Sequence, residues 1–467
     1  MTLRFFNTLK RKLQVFKPIK EGFVGLYTCG PTVYNYPHIG NYRAYIFEDI
    51  LRRYLEYKGF HVNQIMNITD VDDKTIRDSQ KEGSSLKQFT ERYTQAFFED
   101  LKSLNIQPAA VYPLATDHIK EMIEIIDALL KKKKAYKTDD GCAYYEISKF
   151  KKYGQLANMD VSQLQAGASG RVQHDEYDRD HPQDFALWKA WTPEDGDVKW
   201  DSPWGAGRPG WHIECSAMSR KYLGDQFDMH TGGVDNIFPH HQNEIAQTEG
   251  FTGKTFVKYW LHCEHLLVDG QKMSKSLGNF YTLRDILNKG HHPLAVRYLL
   301  LSAHYRQKLN FTMESLGAAR AALDRIWECV RKLEAHKEGA ENPAVDKLLA
   351  RAQKNFERSM DNDLESAPAL AAMFDMITKV NSWMMTQKIG PLNAQAVLTV
   401  MKKFDKVLGV LVEEEKIPEH IQKLVQEREQ ARTSKQFDVA DKLREKLKQA
   451  GYVVDDTPQG PVVKKAA

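Results

Sequence analysis

Hydrophobic positions in the first 75 residues change from short continuous runs to helical spacing and back. Short runs of apolar and β-branched residues predict strands at Phe23–Thr28 and over residues 62–68. A strand, a helix and a second strand in this order are typical of a parallel sheet that forms a nucleotide site at its carboxyl edge. The helix is predicted over residues 41–58 from apolar residues three and four positions apart, namely Ala44, Phe47, Ile50, Leu51, Tyr54 and Leu55.

The same alternation returns after residue 205. The pattern predicts a helix over 211–222, a strand over 226–230, a helix that begins near Pro239 and a strand over 257–261. We therefore predict one parallel sheet whose two halves are separated in the sequence by an insertion.

The insertion covers residues 76–205 and has a different pattern. Helical periodicity predicts helices over 85–104 and 116–133, and a small strand is expected near Tyr144. Residues 153–183 are polar and contain glycine, which indicates a loop.

From residue 294 onward the pattern is almost wholly helical. Four apolar stripes predict a helical bundle, with helices over 314–335, 344–358, 365–388 and 393–412. An acidic, proline-containing stretch at 413–418 resembles a hinge, and 419–467 predict a small mixed α/β module. The predicted divisions are 1–75, 76–205, 206–260, 261–313, 314–412 and 419–467.

Composition and charge restrict the class of protein. The chain has 467 residues, of which 42% are hydrophobic and 27% are charged, which is typical of globular domains. The net charge of +4 is too small to indicate nucleic-acid binding by itself. The five cysteines are odd in number and widely spread, and we find neither a membrane-length apolar run nor a signal peptide. These features predict a cytoplasmic protein with free or metal-bound thiols.

Four residues are candidate metal ligands. His240 and Glu244 are four positions apart and would share one helix face, whereas His241 is expected to point elsewhere. Cys29 and Cys215 also lie at strand ends or helix starts, where sites of α/β proteins assemble. Such a donor set suits zinc better than magnesium or calcium. A solvated His–Glu pair and two buried structural thiols remain the alternative interpretation, since the cysteines are 186 residues apart.

Two further stretches could bind a triphosphate. His38-Ile39-Gly40-Asn41 begins the first predicted helix, whose N-terminus favours anions. Lys272-Met273-Ser274-Lys275-Ser276 is a basic loop that could neutralise charge on a leaving group. Each alone could be an ordinary surface loop, but one follows the first strand of the sheet and the other follows the last.

Long motifs give the sequence a family resemblance. The chain resembles the class I aminoacyl-tRNA synthetases and, over essentially its whole length, is similar to the cysteinyl-tRNA synthetases. Asn41 stands where that class usually has a second histidine. The matching stretches are YTCGPTVYNYPHIGN, NITDVDDK, GRPGWHIECSAM, GGVDNIFPHHQNE and DGQKMSKSLGN.

The resemblance implies a Rossmann-type class I catalytic domain that forms cysteinyl-adenylate from cysteine and ATP and then charges tRNA(Cys). It implies one zinc ion per chain that takes the substrate thiolate, Mg²⁺ with ATP, stem contacts from 261–313, and tRNA contacts from the bundle and the C-terminal module. A monomer is favoured over an oligomer. The implied roles are catalytic for His38, Lys272 and Lys275; ATP-binding for His38, Gly40, Asn41, Gly232, Gly233, Asp235 and Lys275; substrate-binding for Thr69 and Trp211; and zinc-binding for Cys29, Cys215, His240 and Glu244.

Two other functions stay open at this point. A cysteine ligase could form the same adenylate and act on an amino-sugar, although such enzymes lack a full anticodon-reading tail. A non-catalytic zinc-containing RNA-binding protein is the second alternative, and the intact basic loop argues against it. Whether the substrate sulfur would be a fourth or a fifth zinc ligand is also open.

Overall fold

The computed structural model describes residues 2–159, 184–274, 277–411, 418–434, 436–457 and 460–465. They belong to two compact units, Met1–Val410 and Leu411–Ala467. Among the helices within these ranges, none is both long enough and apolar enough to cross a membrane.

The first unit opens with a hairpin that the apolar pattern did not reveal, followed by the predicted strand–helix–strand unit. The first sheet strand has the predicted bounds. The helix starts two residues earlier than predicted because His38 caps it and accepts a hydrogen bond from the main chain of Asn41. The elements are β1 (Arg4–Asn7), β2 (Lys12–Val15), β3 (Phe23–Thr28), α1 (Ile39–Tyr57) and β4 (His61–Met66).

The insertion combines helices with a four-stranded antiparallel sheet of order β5-β6-β7-β8. The predicted helices are present, but only one of the four strands was anticipated. Most of the predicted loop, residues 160–183, lies outside the described part of the chain. The elements are α2 (Asp73–Glu82), α3 (Leu86–Ser103), α4 (Ile119–Lys131), β5 (Ala135–Lys137), β6 (Ala143–Tyr145), β7 (Phe185–Ala190) and β8 (Gly207–Pro209).

The second half of the main sheet follows, and then a small three-stranded sheet of order β12-β11-β13. Helical backbone starts near Pro239 as predicted: Phe238 has extended angles that end the preceding turn, and a π turn over the next residues leads into the regular helix from Gln242. The elements are α5 (Trp211–Leu223), β9 (Phe227–Gly233), α6 (Gln242–Thr252), β10 (Val257–Cys263), β11 (Leu266–Val268), β12 (Gln271–Lys272), α7 (Leu283–Asn288), α8 (Pro293–Leu301) and β13 (Leu309–Phe311).

The main sheet has the order β10-β9-β3-β4, and each neighbouring pair is parallel. The two halves of the sheet meet where β3 pairs with β9, which confirms the predicted division by an insertion. Because the strands are parallel, the residues that follow β3, β9 and β10 all reach the same edge of the sheet.

Four long helices form the predicted bundle and bury their apolar faces against one another. The rings of Phe356 and Phe404 stack at the centre, with 4.2 Å between their centroids. The helices are α9 (Met313–Glu334), α10 (Ala344–Asp361), α11 (Ser366–Met385) and α12 (Pro391–Leu408).

The second unit is small and has its own apolar core, in which Ile421, Val425, Leu447 and Val454 are buried. Its two strands pair in an antiparallel hairpin, which agrees with the predicted mixed α/β module. The elements are α13 (Glu419–Thr433), α14 (Phe437–Gln449), β14 (Tyr452–Thr457) and β15 (Gly460–Lys465).

A buried ion pair fastens α1 to the bundle within the first unit. Arg297 on α8 contacts Asp49 on α1, with 2.5 Å between Nη2 and Oδ2, and both side chains are fully buried. The same guanidinium donates from Nε to the carbonyl oxygen of Leu408 at the end of α12, at 2.7 Å. The clamp, defined here as Asp49 and Arg297, therefore fixes the middle of α1 against the last turn of α12.

We predict that Asp49→Asn lowers the free energy of unfolding by about 3–5 kcal/mol, because it leaves the Arg297 charge buried without its counter-ion. Chemical denaturation followed by tryptophan fluorescence measures the loss. The matched control is Asp324→Asn, which breaks the exposed pair with Arg320 and should cost less than about 1 kcal/mol. Equal effects of the two substitutions would contradict the role of the clamp.

Candidate active site

Four side chains that are far apart in the sequence converge at the carboxyl edge of the main sheet. The donor atoms of Cys29, Cys215, His240 and Glu244 all lie within 4.8 Å of one another. Cys29 directly follows β3, and Cys215 lies in the second turn of α5. His240 lies in the π turn that leads directly into α6, and its Nε2 lies 3.2 Å from Oε1 of Glu244, four residues further on.

The chemistry of these four residues fits a single divalent cation. Glu244 Oε1 is buried and makes no hydrogen bond among the described residues, although His240 Nε2 lies 3.2 Å away, so this carboxylate oxygen is available to a cation. Burial lowers the pKa of His240 to about 3 and keeps this imidazole neutral, as a metal ligand must be. Contact with Cys215 and burial raise the pKa of Cys29, and burial raises that of Cys215. A cation between the sulfurs would reverse this preference for the thiol form.

His241 also belongs to this cluster, so the expectation that it points elsewhere is wrong. Its Nε2 lies 3.3 Å from Cys29 Sγ and 3.9 Å from Glu244 Oε1. With His230 it completes a second possible donor set that shares Cys29 and Glu244 with the first. The two sets overlap at a sulfur and a carboxylate and therefore describe one centre.

Each of three candidate ligands contacts a further buried histidine. Sequence reasoning missed His212, His230 and His262, because a single histidine within an apolar strand or helix has no local signal of function. Their one common feature is that each lies near a strand end or a helix start at the same sheet edge. The contacts are Cys29 Sγ with His241 Nε2 at 3.3 Å, His240 Nδ1 with His212 Nδ1 at 2.9 Å, Glu244 Oε2 with His230 Nε2 at 3.0 Å, and, farther out, His241 Nδ1 with His262 Nε2 at 2.8 Å.

The residues implied for the substrate pocket lie beside the cluster. Trp211 begins α5 and stacks on His240, with 4.3 Å between the ring centroids and 23° between the planes. Thr69 is buried, and its hydroxyl donates to Glu214 Oε2 at 2.8 Å. Glu214 precedes Cys215 on α5, so this bond holds the loop after β4 against the helix that carries a candidate ligand.

His38 and Asn41 hold each other at the start of α1. The main-chain N–H of Asn41 donates to His38 Nδ1 at 3.2 Å, and Asn41 Oδ1 accepts from the main-chain N–H of His38 at 3.0 Å. Burial lowers the pKa of His38 to about 4, so the ring is neutral near pH 7. With Nδ1 accepting, the proton is assigned to Nε2, which can then donate a hydrogen bond.

Gly40 brings the two phosphate-binding stretches together. A Cβ at this position would lie 3.0 Å from the His38 ring and 3.2 Å from Met273 Cε, so a larger residue would push the basic loop away. The chain just beyond that loop also pairs with the start of α1, because the N–H of Ile39 donates to the carbonyl of Tyr281 at 2.9 Å.

The basic loop begins at Lys272, which is exposed on β12, whereas Lys275 lies outside the described residues. Asn279, which sequence reasoning missed, shapes this loop. Its Oδ1 accepts from the N–H of Ser274 at 2.8 Å, and its amide donates to the carbonyl of Lys272 at 3.3 Å.

Gly232 and Gly233 end β9, and Asp235 follows them, which places all three at the edge that carries Cys29. A Cβ on Gly232 would lie 2.9 Å from Cε1 of His241. This glycine therefore leaves room for the histidine ring that contacts Cys29.

Known proteins resemble this chain over most of its length. Three family models match the chain: "tRNA synthetases class I (C) catalytic domain" over 15–321, "DALR domain" over 355–412, and "Cysteinyl-tRNA ligase anticodon binding domain" over 414–461. A cysteine–tRNA ligase of Protochlamydia amoebophila is 50% identical, with 99% of this chain and 98% of the relative aligned. Another from Brachyspira hyodysenteriae is also 50% identical, with 98% of each chain aligned.

The chain belongs to the cysteinyl-tRNA synthetase family. Membership confirms the predicted family, fold class and enzyme class, an ATP-dependent ligase. Neither the amino-sugar ligase nor the non-catalytic RNA-binding protein is favoured, because the relatives match over the full length.

Solved structures of more distant synthetases share the fold of this family member. The methionyl-tRNA synthetase of Mycobacterium tuberculosis in complex with methionyl-adenylate has a TM-score of 0.60 at 16% identity. The alignment covers 83% of this chain and 90% of that synthetase. The Agrobacterium radiobacter LeuRS–tRNA–LeuAMS complex has a TM-score of 0.62 at 11% identity, with 85% of each chain covered.

We predict that Asn41 acts through His38. Asn41→Ala should lower kcat for cysteine-dependent exchange of pyrophosphate into ATP about 3- to 10-fold, the worth of one hydrogen bond. In a His38→Ala background the same substitution should have little further effect, because the group that Asn41 positions is gone. Additive losses in this double-mutant cycle would instead mean that Asn41 contacts the nucleotide by itself.

Proposed function

We propose that the chain activates L-cysteine with ATP and transfers it to tRNA(Cys), and that zinc bound by Cys29, Cys215, His240 and Glu244 selects the substrate thiol. The observation that carries the zinc proposal is the convergence of these four donor atoms within 4.8 Å, at the sheet edge that also holds the start of α1. Two sulfurs, a neutral imidazole and a carboxylate are the ligands that zinc prefers.

Selection against serine needs more than the size of the pocket. Serine and cysteine differ by one atom, and a pocket that reads size alone would separate them by about 1–3 kcal/mol. A bound zinc ion would favour the soft thiolate over a neutral hydroxyl. Trp211 would cover the cysteine, since its ring already lies flat on His240. Thr69, held by Glu214, would complete the wall of the pocket.

The adenylate would form by direct displacement. The carboxylate of cysteine bonds to the α-phosphorus of ATP, and the bond from that phosphorus to the pyrophosphate oxygen breaks. His38 would donate from Nε2–H to the phosphate, where the N-terminus of α1 also attracts negative charge. Lys272 and Lys275 would neutralise the departing pyrophosphate together with Mg²⁺. Gly40 and Asn41 would line the phosphate side.

Three residues at the end of β9 have positioning roles in this proposal. Gly232, Gly233 and Asp235 would lie along the adenosine, since they follow β9 at the nucleotide edge. No side chain forms a covalent bond to the substrate, so catalysis would consist of orientation and electrostatic stabilisation.

The tRNA would be bound by later parts of a monomer. Residues 261–313 would contact the acceptor stem, the bundle over 314–412 would carry further contacts, and the unit from 419 would read the anticodon. The match of 414–461 to an anticodon-binding domain supports the last assignment. In the transfer step the terminal ribose of the tRNA would take the cysteinyl group on its 2′-hydroxyl and release AMP.

We predict that zinc-loaded protein exchanges labelled pyrophosphate into ATP when cysteine is present, without tRNA. Serine in place of cysteine should give exchange at least about 1,000-fold weaker, which exceeds the roughly 10- to 200-fold that pocket size alone supplies. Transfer of labelled cysteine to tRNA(Cys), compared with transfer to an amino-sugar, then identifies the acceptor. Absence of cysteine-dependent exchange in fully metallated protein would contradict the proposed activity.

We predict that Cys215→Ser and His240→Ala each remove bound zinc and cysteine activation together, because each removes one donor of the set. Metal analysis of purified protein and the exchange assay measure the two losses. Cys142→Ser is the matched control, since that thiol lies outside the cluster and accepts a hydrogen bond from the N–H of Ala190. One full equivalent of zinc in both ligand variants would refute the ligand assignment.

A further inference from the structure

A continuous line of polar contacts leads away from Cys29 through two buried imidazoles. Cys29 Sγ lies 3.3 Å from His241 Nε2, and His241 Nδ1 lies 2.8 Å from His262 Nε2. His262 Nδ1 in turn lies 2.8 Å from Oγ1 of Thr8, a half-buried residue that follows β1. We call Thr8, His262 and His241 the histidine relay.

The relay admits only two hydrogen-bond arrangements. Each neutral imidazole has one donor nitrogen and one acceptor nitrogen, and all four ring nitrogens of the relay are in contact with a partner. The donors must therefore all point toward Cys29 or all point away from it. A sulfur that ligates a metal is a thiolate and can only accept, so the first arrangement accompanies a loaded centre.

The surroundings hold both rings in place. Gly232 has no Cβ where one would meet the His241 ring at 2.9 Å. The His262 ring lies nearly parallel to that of Trp260, with 3° between the planes. The N–H of Thr8 donates to the carbonyl of Trp260 at 2.8 Å, which fixes the hydroxyl end of the relay.

His212, another imidazole beside the cluster, has no such line of contacts behind it. His212 contacts His240 through Nδ1, but its Nε2 is buried and has no hydrogen-bond partner within the described ranges. No third group therefore pairs with that ring, whereas the relay ends at a hydroxyl that can donate to His262 Nδ1 when the thiolate of Cys29 accepts at the other end.

We propose that Thr8 and His262 are positioning residues that fix the tautomer of His241, so that its Nε2–H donates to the metal-bound sulfur of Cys29. This inference rests on the zinc site proposed above. Partners behind metal ligands orient them and tune the affinity of the site. The hydrogen bond stabilises Cys29 as the thiolate, which is the form that binds metal, so its loss should lower the affinity for zinc and change the sulfur–metal bond.

The test uses the full-length protein and two measurements that do not depend on activity. Zinc affinity is measured by competition with a chromophoric chelator, and the sulfur-to-metal charge-transfer band is recorded after cobalt(II) replaces zinc. His262→Phe should weaken zinc binding about 10- to 100-fold. Thr8→Val should weaken it about 2- to 10-fold, the worth of one hydrogen bond. Both should shift the cobalt band in the same direction.

Two conservative variants and one control separate positioning from general damage. Thr8→Ser keeps the hydroxyl and His262→Gln keeps a side-chain donor, so both should recover most of the lost affinity. His336→Phe removes a histidine in the bundle that bonds only to the carbonyl of Ile389, and it should leave zinc binding unchanged. If His262→Phe does not fold, the zinc affinity of Thr8→Val alone tests the relay, because valine is nearly isosteric with threonine and residue 8 is only half-buried.

Unchanged affinity and an unchanged cobalt band in Thr8→Val and in folded His262→Phe would overturn the relay while leaving the zinc site intact. Failure of Thr8→Ser to restore what Thr8→Val loses would overturn it as well. Wild-type protein that binds no zinc would refute the zinc site itself, and the relay with it.

Discussion

Parallel pairing of β3 with β9 is the constraint on which the site depends. It aligns Leu26, Tyr27 and Thr28 with Met229, His230 and Thr231, which are about 200 residues away in the chain. Cys29 is the next residue after this ladder, and Gly232 is its counterpart. A slip of one residue would turn the side chains of β3 to the opposite face and carry Cys29 away from Glu244. The register of two strands therefore decides whether the four donors meet.

The sheet also explains how a buried polar cluster of this size is tolerated. Five histidines, one thiol and a carboxylate are buried together beside the half-buried Cys29, an arrangement that is costly unless the groups satisfy one another. Most of the ring nitrogens are paired with a neighbouring imidazole, carboxylate, thiol or hydroxyl. Glu244 Oε1, the carboxylate oxygen that makes no hydrogen bond among the described residues, would be a ligand of the proposed cation.

Structural features that depend on neighbouring residues in the sequence were predicted better than those that depend on contacts between distant residues. Helices such as α5 were predicted to within one residue, because a 3.6-residue period needs no knowledge of the partner. Short strands such as β8 and β12 have too few residues to show a period and were missed. Cys29 and Cys215 carry no common local pattern, so they were grouped as candidate ligands only from their predicted places at strand ends and helix starts and from the family resemblance. His262 became visible only when the fold placed its ring beside His241.

The helix α1 joins the nucleotide end of the protein to the bundle as a single stiff rod. His38 caps its start, and Asp49 is anchored by Arg297 near its middle. About 15 Å of helix separates the two points, so a tilt of about 4° at the anchor would displace the imidazole by about 1 Å. An error of that size can cost about 100-fold in rate. An ion pair near the middle of α1 thus serves as the pivot that keeps the imidazole proposed for catalysis in alignment.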